Sequence, residues 1–253
     1  MEAPTGGEFS PNASRIGWMA EGLTAAYRRG GAERTPLFQL VVRHLGPERT
    51  VADIGAGVGR FAIPLARHGC RVWAVEPAEE MRERLRRHLE ESEVTGQVEV
   101  VGEEWPGAPV PPVEVALASY VLQLAEDPVA FVRALDRLAT RQVVLALHVD
   151  PMPMPEIMAR LTGRPVHHRP PLFDQLWPRI LEAGVPAPAV EMVEEDHRPP
   201  WEEPEGMRLW LARMGIAEES PEAAAIFRQL AEEAKRWPSS RRSALVHWTP
   251  ERS

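Results

Sequence analysis

From residue 50 onward, short apolar runs alternate with longer amphipathic stretches. Residues 50–54, 71–75, 97–101, 113–118 and 142–149 are brief, valine-rich and closely bounded, so they are predicted to be buried strands. Residues 60–68, 79–92 and 127–140 repeat apolar positions every three or four residues and are predicted to be helices. The last of these opens with Asp127 as a cap and Pro128 at the first helical position. Strand, helix and strand repeated in this way build a parallel sheet with helices on both faces. Ligands of such sheets lie beyond the carboxyl ends of the strands, where the strand order reverses.

The flanks read differently. Upstream, residues 13–29 place Ile16, Met19, Ala20 and Leu23 on one helical face, and residues 35–45 form a second helix with Pro36 in its first turn. Downstream of Asp150, proline, methionine and histidine crowd into a stretch with no strand period, expected to be an irregular cap or insert. Helices are predicted at 172–183, 204–214 and 221–236, and strands at 189–194 and 243–248. The chain thus divides into N-terminal helices (1–46), a ligand-binding core (47–150), and a cap with the last helices and strands of the same domain (151–253).

The most informative segment is TVADIGAGVGRFAIPLA, where a β-branched strand runs into Asp53 and then Gly55, Ala56, Gly57 and Gly59 before a helix. Glycines at every second position allow a sharp turn and bring the backbone against a ligand that a Cβ would block. The helix start behind them offers free N–H groups. A dinucleotide turn needs its third glycine one residue later, where Arg60 stands, and the Asp53 carboxylate would repel a pyrophosphate. A cationic or amino-acid-bearing ligand suits Asp53 better. At the end of the second strand Glu76 follows the first glycine by about twenty residues, the place from which a carboxylate accepts ribose hydroxyls.

At this point the sequence resembles the class I S-adenosylmethionine-dependent methyltransferases. Asp53, Gly55, Gly57 and Gly59 match the family's first motif; Glu76, Pro77 and Met81 match its second. VVGEEW (100–105) falls where members hold the adenine, and ALASYVLQL (116–124) looks like the fourth motif. The resemblance covers roughly residues 47–150 and implies a Rossmann-like, doubly wound, mostly parallel α/β sheet of about seven strands. It places Asp53 and the glycine backbone at the methionine end of S-adenosylmethionine, Glu76 at the ribose, and Met81 on the adenine. Glu103, Glu104 or Trp105 would line the adenine pocket, and Ser119-Tyr120 would lie beside the sulfur. The Asn/Asp-Pro-Pro-aromatic signature of amino-methylating nucleic-acid enzymes is absent, which points to a small organic acceptor.

Composition narrows the setting. A net charge of -8 argues against a nucleic-acid partner. No apolar run is long enough to span a membrane. The single cysteine, Cys70, excludes an internal disulfide, and a cytoplasmic location is expected. Arg82, Arg84, Arg86 and Arg87, interleaved with glutamates, read as a solvated ion-paired helix face. Methyl transfer from a sulfonium needs alignment and exclusion of water, and a base only where the acceptor must lose a proton. His148, near the end of the fifth strand, is the candidate for that base. The expected activity is methyl transfer to a small acceptor; the alternatives are a non-catalytic S-adenosylmethionine-binding module and an NAD-dependent oxidoreductase. Oligomeric state is not encoded in any motif.

Overall fold

The computed structural model describes residues 31–151, 156–157, 159–160, 163, 170–196, 211, 216–235, 237–238 and 240–251. The helix expected at 13–29 lies outside the described residues, as do all but Leu211 of the one expected at 204–214 and most of the insert after Asp150. Seven strands form one sheet: β1 (Thr50–Ile54), β2 (Arg71–Val75), β3 (Val98–Val101), β4 (Val113–Ser119), β5 (Ala139–His148), β6 (Ala189–Asp196) and β7 (Ser240–Trp248). Their order is β3-β2-β1-β4-β5-β7-β6. Neighbours among β1 to β5 are parallel, whereas β7 runs antiparallel to both β5 and β6. The order reverses between β1 and β4, so the carboxyl edge there is the place for a ligand.

Among the described residues, six α-helices have defined bounds: α1 (Pro36–Arg43), α2 (Ala62–Arg67), α3 (Glu79–Glu91), α4 (Pro128–Leu138), α5 (Phe173–Glu182) and α6 (Pro221–Ala234). Thr35 caps α1 by accepting the Phe38 N–H, and Asp127 caps α4 by accepting those of Val129 and Ala130. One sheet face packs Val51, Val72, Val115, Val144 and Leu245 against Leu37, Leu40, Ile63 and Leu85 of α1, α2 and α3. The other packs Ile54, Ala116, Leu145 and Val246 against Phe131 and Leu135 of α4 and Leu176 and Ile180 of α5. Strands covered on both faces are apolar throughout, which explains why their period was a run rather than an alternation.

Three of the boundaries that depart from the sequence reading have a plain physical cause. Helix α2 begins at Ala62 and not at residue 60, because residues 55–61 are consumed by a turn with left-handed backbone at Gly55, Gly57 and Gly59. Helix α4 passes into β5 without a loop: Ala139 is both its cap and the first strand residue, at φ -75° and ψ 140°. Strand β7 starts three residues before the expected 243, because Arg242 and Arg241 pair across from Glu194 and Glu195 of β6. Opposite charges across a strand pair are favourable, but they leave no apolar signal to read.

At the opposite edge the buried Glu114 carboxylate accepts the N–H groups of Gly46 (3.0 Å), Glu48 (3.2 Å) and Thr50 (3.4 Å). This clamp sets the entry to β1 and hence the register of Asp53 at its far end.

Candidate functional site

The turn after β1 is built mainly by the protein's own side chains. Gly55 and Ala56 donate their N–H groups to the Val75 carbonyl at 2.8 and 3.0 Å, tying the turn to β2. A Cβ on Gly55 would lie 2.6 Å from Val121 Cγ2, and one on Gly59 would lie 2.7 Å from both Ile63 Cδ1 and Leu85 Cδ1. These two glycines are therefore demanded by positive φ, as a sharp turn requires, and also by neighbouring apolar side chains, which the sequence alone did not indicate. Gly57 differs: its N–H donates to Glu76 Oε2 at 2.9 Å. His88, buried on the α3 face that also carries Met81, Leu85 and Leu89, donates from Nδ1 to the Val58 carbonyl at 2.9 Å.

Two buried carboxylates face this turn. Asp53 is 2% exposed; its Oδ2 has no hydrogen-bond partner, and its carboxylate receives the Ala62 N–H at the start of α2. The helix-start N–H expected to be free is thus taken by Asp53. Burial raises the Asp53 pKa from 3.8 to about 7; the Ala62 hydrogen bond opposes that rise and Glu76 adds to it. Glu76, 8% exposed, accepts the Ala78 N–H on Oε1 at 2.9 Å and the Gly57 N–H on Oε2. Burial raises its pKa as well, against the pull of Ala78, Gly57 and Arg82.

Arg82 stands apart from the solvated face expected of the arginine run. It donates to the Glu76 carbonyl at 2.8 Å and to the Gly102 carbonyl at 3.4 Å while pairing with Glu79, so it ties the ends of β2 and β3 together. Arg84 and Arg86 do pair along the helix, with Glu80 and Glu79 respectively, at 3.2 Å.

Because folding raises the Asp53 pKa, the folded protein holds more protons than the unfolded chain between about pH 4 and 7. The associated stability is complete below about pH 4 and is lost as pH rises through 7, with an upper bound of ~4 kcal/mol. Asp53→Asn is expected to melt close to wild type at pH 5 and above it at pH 8. Parallel pH dependence of the two melting temperatures would contradict this account.

The remaining predicted residues distribute along the carboxyl edge. Pro77 is exposed and Met81 buried at the start of α3; Glu103 and Glu104 are exposed on the loop after β3. Trp105 packs edge-on against Phe131 at 6.4 Å between ring centres and donates from Nε1 to its carbonyl at 3.3 Å. Ser119 ends β4. Tyr120 follows in the left-handed region at φ 56°. Its ring stacks on His148 with centroids 4.1 Å apart, and its hydroxyl lies 2.8 Å from Glu195 Oε2 and 3.0 Å from Ser243 Oγ. Arg241, 8% exposed, donates to the Asp150 carbonyl through Nε and Nη2, and its Nη1 lies 3.4 Å from His148 Nε2.

Two groups thus share one edge. Asp53, Gly57 and Glu76 converge over β1 and β2, while Tyr120, His148, Glu195, Ser243 and Arg241 converge over β4, β5, β7 and β6. The turn joins them, since Val121 packs on Gly55 and the Arg60 charge reaches the Tyr120 hydroxyl. Sequence reasoning missed Glu195, Ser243, Arg241, Arg82 and His88. A signal existed only for His88, as the polar member of an otherwise apolar α3 face.

A reversed strand order, an acidic strand end, a glycine turn and a second acidic strand end define a class I methyltransferase fold. Residues 52–147 match the family described as a methyltransferase domain. Over 137 residues the chain is 32% identical to a ubiquinone biosynthesis O-methyltransferase of Methylocella silvestris, covering 47% of this chain and 54% of that protein. The chain spans about half the length of the curated relatives it matches. Among solved structures, the YcgJ protein of Bacillus subtilis superimposes with a TM-score of 0.55 at 19% identity, over 86% of this chain and 98% of its own. Magnesium protoporphyrin IX methyltransferase of Synechocystis, solved with bound S-adenosylhomocysteine, gives 0.52 at 17% identity, over 78% and 84%. These two likenesses concern the fold. No described helix is long and apolar enough to cross a membrane.

Proposed function

We propose that this chain transfers a methyl group from S-adenosylmethionine to a small organic acceptor. The observation that carries the reading is Asp53 Oδ2, a buried carboxylate oxygen without a partner, set beside a glycine turn whose Gly57 N–H is bonded to a second buried carboxylate. A cationic amino group satisfies the first and ribose hydroxyls suit the second, so the residues present fit the cofactor. Asp53 would hold the amino group, Glu76 the ribose, and Met81 with Glu103, Glu104 or Trp105 the adenine. The cofactor supplies a methyl group on a positively charged sulfur. The protein's part is to bind and align it, and to keep water from the reacting centre.

The O-methyltransferase relatives and the S-adenosylhomocysteine-bound neighbour support the same reading. A dinucleotide fits less well, because an acidic pair would face its pyrophosphate. The net charge of -8 favours a small acceptor over nucleic acid, and the single buried Cys70 favours a cytoplasmic setting. Titration calorimetry with S-adenosylmethionine is expected to give a Kd of tens of micromolar or tighter. Absence of binding to folded protein would remove the reading.

A further inference from the structure

The chain folds four polar side chains from distant positions onto one sheet face, at the end where a methyl acceptor must approach. Along β5, His148 follows the inward-facing Val144 and Ala146; along β7, Arg241 and Ser243 precede Leu245; along β6, Glu195 follows Val193. Alternation puts all of them on the face that Tyr120 overhangs. Tyr120 reaches them from a left-handed backbone, a conformation uncommon for a non-glycine residue and one that clusters where function over-determines the chain.

The hydrogen-bond inventory fixes the roles. Ionised Glu195 only accepts, and Tyr120 has one proton, so the phenol donates to Glu195 Oε2 and the Ser243 hydroxyl can donate to the phenol. Burial and the Glu195 charge both raise the Tyr120 pKa, which keeps the phenol a donor. Arginine only donates, so Arg241 Nη1 engages the Nε2 lone pair of His148. That contact occupies the His148 nitrogen that would serve as a base and leaves the ring to position Tyr120 by stacking. No described residue bonds Glu195 Oε1.

We propose that Glu195 is the proton acceptor for a hydroxyl-bearing methyl acceptor, held in place by Tyr120, Ser243 and His148. The inference rests on the methyltransferase reading above. In the step, the acceptor oxygen forms a bond to the methyl carbon as the carbon–sulfur bond breaks and its electron pair stays on sulfur. The hydroxyl proton passes to Glu195 Oε1 and later leaves to water. Charge balances: the sulfonium charge is lost and one proton is released. Among the described residues, Tyr120 after β4 bonds Glu195, Arg241 on β7 lies within electrostatic reach of both, His148 at the end of β5 stacks on Tyr120, and the Arg60 charge from the glycine turn reaches the Tyr120 hydroxyl.

Two measurements test it. The sequence holds two tyrosines, so Tyr27→Phe leaves Tyr120 alone for carbon-13 labelling of the ring carbon that bears the hydroxyl. In cofactor-free protein its NMR line is expected to move in Glu195→Gln, which replaces the charged acceptor of the phenol proton by a neutral amide. A line indifferent to that substitution overturns the contact and the proposal with it. The second measurement is methyl transfer from S-adenosylmethionine to 3,4-dihydroxybenzoate and catechol as hydroxyl probes. Glu195→Gln is expected to reduce kcat about 100-fold or more, to erase the acidic limb of the pH profile and to leave cofactor affinity unchanged. Glu195→Asp should restore part of the rate, and Ser243→Ala should move the limb without removing it. Turnover in Glu195→Gln within about threefold of wild type, or cofactor-bound wild-type protein that methylates neither probe, overturns the proposal. Wild-type protein that does not bind S-adenosylmethionine would instead overturn the methyltransferase reading.

Discussion

Gly59→Val is expected to lower the melting temperature by about 5–15 °C and to abolish measurable cofactor binding. A β-branched residue at φ +96° carries about 1–2 kcal/mol of backbone strain. Its side chain would also start 2.7 Å from Ile63 and Leu85, and overpacking of that kind costs about 1–3 kcal/mol. For a domain of this size each kcal/mol is worth about 2–4 °C. Binding fails because Gly59 anchors the turn that presents Gly57 beside Glu76. Gly96→Ala is the control: its Cβ would meet nothing within 4 Å, so its melt should match wild type within about 0.5 kcal/mol. Circular dichroism melts of both variants decide it, and equal midpoints would show that Ile63 and Leu85 yield freely.

Glu76→Gln is expected to pull affinity and stability in opposite directions. Hydrogen bonds to a charged acceptor are worth about 1.5–3 kcal/mol, so removing the charge should weaken S-adenosylmethionine about 10- to 100-fold. The ligand-free protein should hold its melting temperature or gain, because a carboxylate whose pKa is raised by burial resists being charged at neutral pH. The amide oxygen can keep one backbone N–H of the pair Gly57 and Ala78. Calorimetry and melts on the same preparation separate the two effects. Stability and affinity falling together would mean that Glu76 is a structural clamp like Glu114.

The cofactor half was legible because its signals are local. Asp53, the alternate glycines and Glu76 lie within one strand–helix–strand unit, and β1 and β2 fall at the expected residues. The acceptor half was not. Glu195 and Arg241 read as ordinary surface charges, and only β7, running backwards between β5 and β6, brings them beside His148 and Tyr120. Arg82 sat within a run of charges whose neighbours do face solvent, so its bonds to the Glu76 and Gly102 carbonyls left no mark in the pattern. The glycines were read for the right turn but for an incomplete reason, since contact with Val121, Ile63 and Leu85 requires two strands and a helix already in place.

The position of β7 also dictates an order of assembly. Among the described residues β6 pairs with no strand but β7, and β7 comes from residues 240–248, far along the chain. As a chain emerges from the ribosome, units fold from the N-terminal side. The parallel strands β1 to β5 can therefore set up the nucleoside end while β6 still lacks a neighbour, and Glu195 gains its place only when β7 slides in. A nascent chain halted short of that strand should capture S-adenosylmethionine and yet be unable to pass its methyl group on.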